Sequence, residues 1–299
     1  MKKKKQKEGS VVGRVMWWIC LLIAIGVFLF AGYKLVSALL EYKQADDEYD
    51  NLKKVADITY PDTSDTDDSS EEDPGPVIDF ASLKAVNEDV IGWLVVDALD
   101  ISYPIMQSED NDYYLHRTTE KTYNFAGSIF LDYENDSDFR DCNSIIYGHN
   151  MRNGSMFGTL KQFRNADIYN KSLHFWICTP EKNYRYQIFA AYEASVGGET
   201  YTLFKYKGSE FQEWLKKMPT LSEIPCGDFS FDGDEMIATL STCTGNSSTR
   251  FVVQGVCLNE TNDAKEAPKK KVTSKKTSKK SNSNENADKD ASEDTSTEE

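Results

Sequence analysis

The sequence predicts a mainly β fold: a closed barrel with short helices on its outside, preceded by an N-terminal transmembrane helix. Three observations carry that expectation. A long apolar run without charge lies near the N-terminus, eight short runs rich in β-branched and aromatic residues follow it, and polar turn-forming residues separate those runs.

Residues 1–14 form a basic segment with Lys2, Lys3, Lys4, Lys5, Lys7 and Arg14, and the next charge is Lys34. The nineteen residues from Val15 to Tyr33 are therefore apolar throughout. As a helix they would span roughly 29 Å at ~1.5 Å per residue, about one hydrocarbon core. Trp17, Trp18 and Tyr33 suit its two interfaces. Basic residues precede the span, so the positive-inside bias puts the N-terminus in the cytoplasm and the rest outside the cell membrane, with membrane lipid as the helix's partner. A cleaved signal peptide, with Val36-Ser37-Ala38 as the processing site, is the rival reading, but its apolar region would be shorter than this one. The anchor is assigned to 15–38.

Residues 39–76 read as a stalk and linker. Glu41 to Asp57 continues as a polar helix with scattered Leu and Tyr, and residues 61–76 carry seven acidic side chains and no basic one, the composition of a solvated spacer. Residues 261–299 read as a disordered charged tail, with eight lysines from Lys265 to Lys280 and a mainly acidic end. The net charge of −15 argues against nucleic acid as a partner.

The interval 77–260 is long enough for one domain with its own core. Residues 79–90 show helical spacing of Phe80, Leu83 and Val86 or Val90. The expected strands are WLVV (93–96), ISYPIM (101–106), GSIFLD (127–132), NSIIYG (143–148), LHFWICT (173–179), YRYQIFAAYEA (184–194), EMIATLST (235–242) and RFVVQGVCL (250–258). Helical interruptions are expected near 155–163 and 208–218.

Cys20 lies in the span, and the other five cysteines show neither close pairing nor a CxxC spacing. Cys178 and Cys257 fall inside apolar strands as buried small hydrophobes, whereas Cys142 and Cys226 carry no preference. The three histidines, His116, His149 and His174, lack ligand spacing, so no metal is expected.

Cys243 and Arg250 are seven steps apart, roughly 23 Å if extended at ~3.3 Å per residue. They share a site only if Cys243 ends one strand, TGNSST turns, and Arg250 begins the next. A thiol beside a fixed positive charge is placed for nucleophilic attack, because only the thiolate attacks and a guanidinium also donates to an oxyanion. His149, just past the strand that stops at Gly148, supplies the acid for a leaving amine.

IIYGHNM, LSTC and RFVVQG, with IGWLVVD, DNDYYLHR and AGSIFLDY upstream, resemble the class B sortases of Gram-positive bacteria over nearly all of 79–258. The resemblance implies an eight-stranded barrel and a membrane-bound cysteine transpeptidase that needs no cofactor. Such an enzyme cleaves a C-terminal sorting motif in a secreted protein and joins it to an amine of the cell wall or a peptidoglycan precursor. By matching position it implies Cys243 as nucleophile, His149 as general acid and then base, and Arg250 as the group that steadies the substrate carbonyl. Asn111, Leu115, Tyr147 and Ser241 match substrate-groove positions. The short glycine-containing loop after Cys243 departs from relatives with longer loops, and the resemblance does not reach the tail. An exported cysteine endopeptidase, or a wall-binding barrel without catalysis, are the alternatives. The first commonly places Cys before His in the chain, the reverse of the order here.

Overall fold

The computed structural model describes residues 11–61 and 75–261. The basic residues 1–10, nearly all of the acidic spacer and the charged tail lie outside them.

All eight expected strands form, and they close into one barrel. In chain order they are β1 (Val90–Val96), β2 (Ile101–Met106), β3 (Ile129–Leu131), β4 (Asn143–Tyr147), β5 (His174–Cys178), β6 (Asn183–Ser195), β7 (Ile237–Cys243) and β8 (Thr249–Thr261). Around the barrel the order is β1-β2-β3-β4-β7-β8-β6-β5, with β5 closing onto β1 through Trp93↔Cys178, Leu94↔Ile177 and Val95↔Trp176. Closure leaves no unpaired edge. Two neighbours run parallel, β2 with β3 and β4 with β7, and the rest are antiparallel. Trp93, Ile105, Ile129, Ile146, Phe175, Leu240 and Val253 are fully buried in the core. Their β-branched and aromatic character suits a pleated, close-packed surface.

The helix expected at 79–90 is shorter. α2 (Phe80–Val86) starts where the Asp79 carboxylate accepts from Ser82 N at 3.0 Å, and ends at Asn87, whose backbone is extended. Val90 belongs to β1, so the helical spacing that reaches it is coincidental. A 3₁₀ turn (Leu160–Arg164) and α3 (Ala166–Tyr169) follow β4, and α4 (Ser209–Lys217) lies between β6 and β7 and buries Phe211, Trp214 and Leu215.

α1 runs unbroken from Val11 to Val55, and its N-terminal part is long and apolar enough to cross a membrane. Its C-terminal half packs on the barrel, burying Ala45, Tyr49, Leu52 and, just beyond the helix, Ala56. The Tyr49 hydroxyl donates to Gly127 O at 2.6 Å, Glu48 Oε1 accepts from Glu120 N at 2.9 Å, and Asn124 Nδ2 donates to Glu41 O at 3.0 Å.

None of the cysteines in the described residues forms a disulfide. Cys142, Cys178 and Cys226 are buried, but Cys257, expected in the core, is only half-buried. β8 shifts register against β6 between Arg185 and Tyr186, next to Cys257, so strand alternation does not carry its side chain fully inward.

Candidate active site

The site forms where three strands end together. β4 and β7 run parallel with Tyr147 opposite Ser241, so the residues two places further on, His149 and Cys243, leave the barrel at the same rim. Two contacts carry the pairing past the end of β4: Gly148 N donates to Ser241 O at 3.1 Å, and Thr242 Oγ1 donates to Gly148 O at 2.8 Å. A Cβ at residue 148 would overlap Ile129 and Phe157, which explains glycine at the point where the chain turns away.

Across the other edge of β7, Cys243 stands directly opposite Arg250 on β8. Directly opposed antiparallel residues have Cα atoms about 4.5–5.5 Å apart, so the seven-residue separation collapses to one cross-strand step. The turn between them is held by its own polar side chains. Thr244 Oγ1 and Thr249 Oγ1 lie 2.7 Å apart, Asn246 Oδ1 accepts from Ser248 N at 3.0 Å, and Gly245 takes φ +96°. Lys161 Nζ ties the turn to the outer helical layer through Thr244 O at 3.0 Å. Arg250 Nη1 donates to Thr249 O at 2.9 Å and to Ser247 O at 3.3 Å.

His149 is held by the segment before β3. Its Nε2 lies 2.8 Å from Leu115 O. A carbonyl only accepts, so Nε2 carries the proton and the neutral ring keeps its lone pair on Nδ1. Burial pushes the His149 pKa below 6.5; the Leu115 hydrogen bond opposes that shift, and the neighbouring His116 adds to it. The two imidazoles stack with centroids 6.2 Å apart.

Asn111, Tyr147 and Ser241, three of the four residues expected to line a groove, connect to one another near this rim through hydrogen bonds and ring contacts. Ser241 is buried, and its Oγ lies 2.8 Å from the hydroxyl of Tyr201. The Tyr147 and Tyr201 rings lie 10° from parallel with centroids 6.5 Å apart. Tyr147 OH and Asn111 Nδ2 both donate to Asp132 Oδ2, each at 2.9 Å, and Asn111 Oδ1 accepts from Tyr133 N at 3.1 Å. Both ends of the Asn111 amide are thus engaged within the protein. Leu115 meets the site through its backbone carbonyl rather than through its side chain alone.

Tyr201 and Asp132 were not among the residues expected from sequence, yet each joins two that were. Burial pushes the Tyr201 phenol up, the Ser241 hydrogen bond and the Arg250 charge pull it down, and Cys243 pushes it up. Tyr201 therefore lies within electrostatic reach of both the thiol and the guanidinium. For Tyr147, burial and then the Asp132 charge raise the pKa, so its phenol stays protonated. Among the described residues, no group of three or more His, Cys, Asp or Glu side chains could hold a metal ion.

Comparison with known proteins identifies the family and the fold. The family model described as the sortase domain matches residues 94–257. A sortase B of Listeria monocytogenes is 36% identical over 243 residues, covering 78% of this chain and 93% of that protein. The structure of Bacillus anthracis sortase B superposes with a TM-score of 0.62 at 28% identity, covering 74% of this chain and 99% of that one. The Staphylococcus aureus sortase B–substrate complex gives 0.62 at 25% identity, with the same two coverages. A family model matched over more than half the chain, and a relative above 30% identity across most of it, establish that this protein belongs to the class B sortases, which are cysteine transpeptidases.

Proposed function

We propose that α1 anchors the chain in the cell membrane with its N-terminus in the cytoplasm, and that the barrel outside cleaves a C-terminal sorting motif and transfers the new carboxyl end to a cell-wall amine. The observation that carries this reading is the shared rim: Cys243 opposite Arg250, with His149 leaving the neighbouring strand beside them.

In the first half-reaction the Cys243 sulfur attacks the carbonyl carbon of the threonine-like residue in the motif. The S–C bond forms as Nδ1 of His149 takes the Cys243 thiol proton, the scissile C–N bond breaks, and His149 passes that proton to the leaving amine. Arg250 donates to the oxyanion of the tetrahedral intermediate, where a fixed cation needs no reorganisation. In the second half-reaction an incoming amine forms the new C–N bond, the thioester S–C bond breaks, and His149 takes up the amine proton. Burial weakens the hold of His149 on its proton, which favours donation to the leaving group, and the proton taken from the incoming amine returns through Nδ1 to the Cys243 sulfur. Leu115 O keeps Nε2 occupied, so one nitrogen handles both transfers.

Asn111, Leu115, Tyr147 and Ser241 line the groove that receives the motif. The stacked pair Tyr147 and Tyr201 offers an apolar wall, and the Asp132 carboxylate fixes Tyr147 and Asn111 from behind. The relative from S. aureus has been captured with substrate, which supports a groove reading for the matching surface here.

The test is product mass. Incubating the protein with sorting peptides, with and without triglycine or diaminopimelate, should yield the amine adduct, and Cys243→Ala should abolish it while the fold persists. A hydrolysed peptide that is indifferent to added amine would mark an endopeptidase. No turnover of any sorting peptide, with Cys243 unreactive toward a methanethiosulfonate reagent, would mark a binding barrel.

A further inference from the structure

On β7 the alternation Ile237-Ala238-Thr239-Leu240-Ser241 sends Ala238 and Leu240 into the barrel core and turns Thr239 and Ser241 the other way, toward the second core that α4 covers. That outer face carries five buried polar side chains: Asn143 of β4, Thr239 of β7, Gln254 of β8, Tyr192 of β6, and Thr200 of the 3₁₀ turn Glu199–Tyr201. They form a hydrogen-bonded ring. Thr239 Oγ1 donates to Asn143 Oδ1 at 2.7 Å and accepts from Gln254 Nε2 at 3.0 Å. Tyr192 OH donates to Gln254 Oε1 at 3.0 Å, and Thr200 Oγ1 lies 3.0 Å from the same hydroxyl. The tyrosine proton is already given to Gln254, so Thr200 donates in that last contact.

The Asn143 amide closes the ring. Its Nδ2 donates to Thr200 O at 3.1 Å and to Thr202 O at 3.2 Å, the carbonyls of the residues on either side of Tyr201. Tyr201 is the residue whose hydroxyl meets Ser241 and whose ring lies nearly parallel to Tyr147. A single 3₁₀ turn holds itself weakly, here through Tyr201 N to Gly198 O and Thr202 N to Glu199 O, both at 3.1 Å. Buried polar side chains cost stability unless they are bonded, and a ring in which each member has partners turns that cost into one fixed arrangement. What this ring fixes is the backbone that presents Tyr201.

We propose that Asn143 is a positioning residue for the substrate groove: it clamps the turn so that the Tyr201 phenol is held against Ser241 and alongside Tyr147, and thereby sets how tightly the sorting peptide binds. Asn143 is 1% exposed and acts through Tyr201, not by touching the peptide. The clamp bears on binding more than on the chemical step, because Cys243, His149 and Arg250 are placed by the β4–β7–β8 pairing itself. This inference rests on the groove reading proposed above.

The test uses the full chain in detergent, with the sorting peptide that gives the largest yield of triglycine adduct. Asn143→Ala removes the clamp. Thr239→Val, which keeps the volume and removes only the hydroxyl that orients the Asn143 amide, is the second variant should the first fold poorly. Tyr169→Phe is the comparison, since it deletes another buried hydroxyl, the donor to Cys226 O at 2.9 Å, outside the ring. In each background 3-fluorotyrosine at position 201 is read by fluorine NMR. The expected result for Asn143→Ala is a KM raised about fivefold or more with kcat within about twofold, and a shifted, broadened fluorine line. Thr239→Val should move both readouts in the same direction, and Tyr169→Phe should move neither. An unchanged fluorine line would overturn the clamp. A changed line with an unchanged KM would overturn the step from clamp to groove, and an equal rise of KM in Tyr169→Phe would leave Asn143 with a role in stability alone. If the unaltered protein turns over no sorting peptide, the proposed function and the step to the groove fall together, and the fluorine line still decides whether Asn143 fixes Tyr201.

Discussion

Cys243 and Arg250 are legible in the sequence because each sits at the junction of an apolar strand pattern and a polar turn, and such junctions map to barrel rims. His149 is legible for the same reason, since Gly148 ends a strand. Tyr201 is not: it lies in a 3₁₀ turn whose place is set by distant contacts, Trp214 Nε1 donating to Glu199 O at 2.8 Å and Lys217 Nζ pairing with Glu199 at 2.6 Å. No local pattern encodes that. For Arg250→Ala, loss of one oxyanion donor should lower kcat/KM by at least ~10²-fold, about 2.7 kcal/mol, in the peptide-transfer assay. Arg250→Lys should recover only part of it, because an ammonium lacks the planar fork. For His149, burial and His116 both disfavour the charged ring, so His116→Ala should raise its titration midpoint, as read by NMR of the ring protons. The stability sign follows from the same shift. The folded ring binds its proton more weakly than the unfolded one, so unfolding takes up a proton as pH falls below 6.5. The contribution of His149 to stability is therefore full above that pH and is lost as pH falls through the lower folded midpoint.

At the scale of elements, the strand boundaries follow from composition, but the docking of α1 does not stand out. Ala45, Tyr49, Leu52 and Ala56 recur at spacings of four, three and four, a proper helical stripe, yet two of the four are alanines and the surrounding residues are charged. Read for hydrophobicity alone, the segment looks like a polar stalk. In the folded chain that stripe holds the loop that holds His149. Tyr49 OH donates to Gly127 O and contacts Ser128 Oγ at 3.1 Å, and a Cβ on Gly127 would collide with Leu115 O, the partner of His149. Tyr49 is thus a positioning residue that reaches the imidazole through two backbone groups. Tyr49→Phe keeps the ring and removes the hydroxyl, leaving Gly127 O unsatisfied at a cost of about 1–3 kcal/mol. The expected outcome is faster hydrogen exchange across residues 114–128 and a shifted acid limb of kcat, with KM for the sorting peptide little changed. A uniform loss of folded protein with an unaltered pH profile would reduce Tyr49 to packing.

Across the whole molecule, local patterns establish eight strands and a closed barrel but leave their order open, because alternation along a strand says nothing about which strand lies beside it. The parallel pairs, β2 with β3 and β4 with β7, come from crossovers whose connections carry most of the chain's irregular structure. The parallel β4–β7 pair matters most, since it brings His149 to Cys243 from 94 residues away. The extent of the folded unit is likewise a global property. A boundary at 77, drawn from composition, omits the half-helix that covers Tyr103 and the 118–128 loop, whereas a boundary at 41 keeps it. Tyr49 and Leu52 are 4% and 1% exposed, and burying two side chains of this size stabilises by about 3–6 kcal/mol. For a domain of this length each kcal/mol shifts Tm by roughly 2–4 °C. A soluble fragment spanning 41–261 should therefore melt at least ~6 °C above one spanning 77–261 in a calorimetric scan. The shorter fragment should also lose transfer activity out of proportion to its folded fraction, because the loop behind Leu115 has lost its brace. Equal melting temperatures and equal activity per folded molecule would show that the barrel holds His149 in place without help from α1.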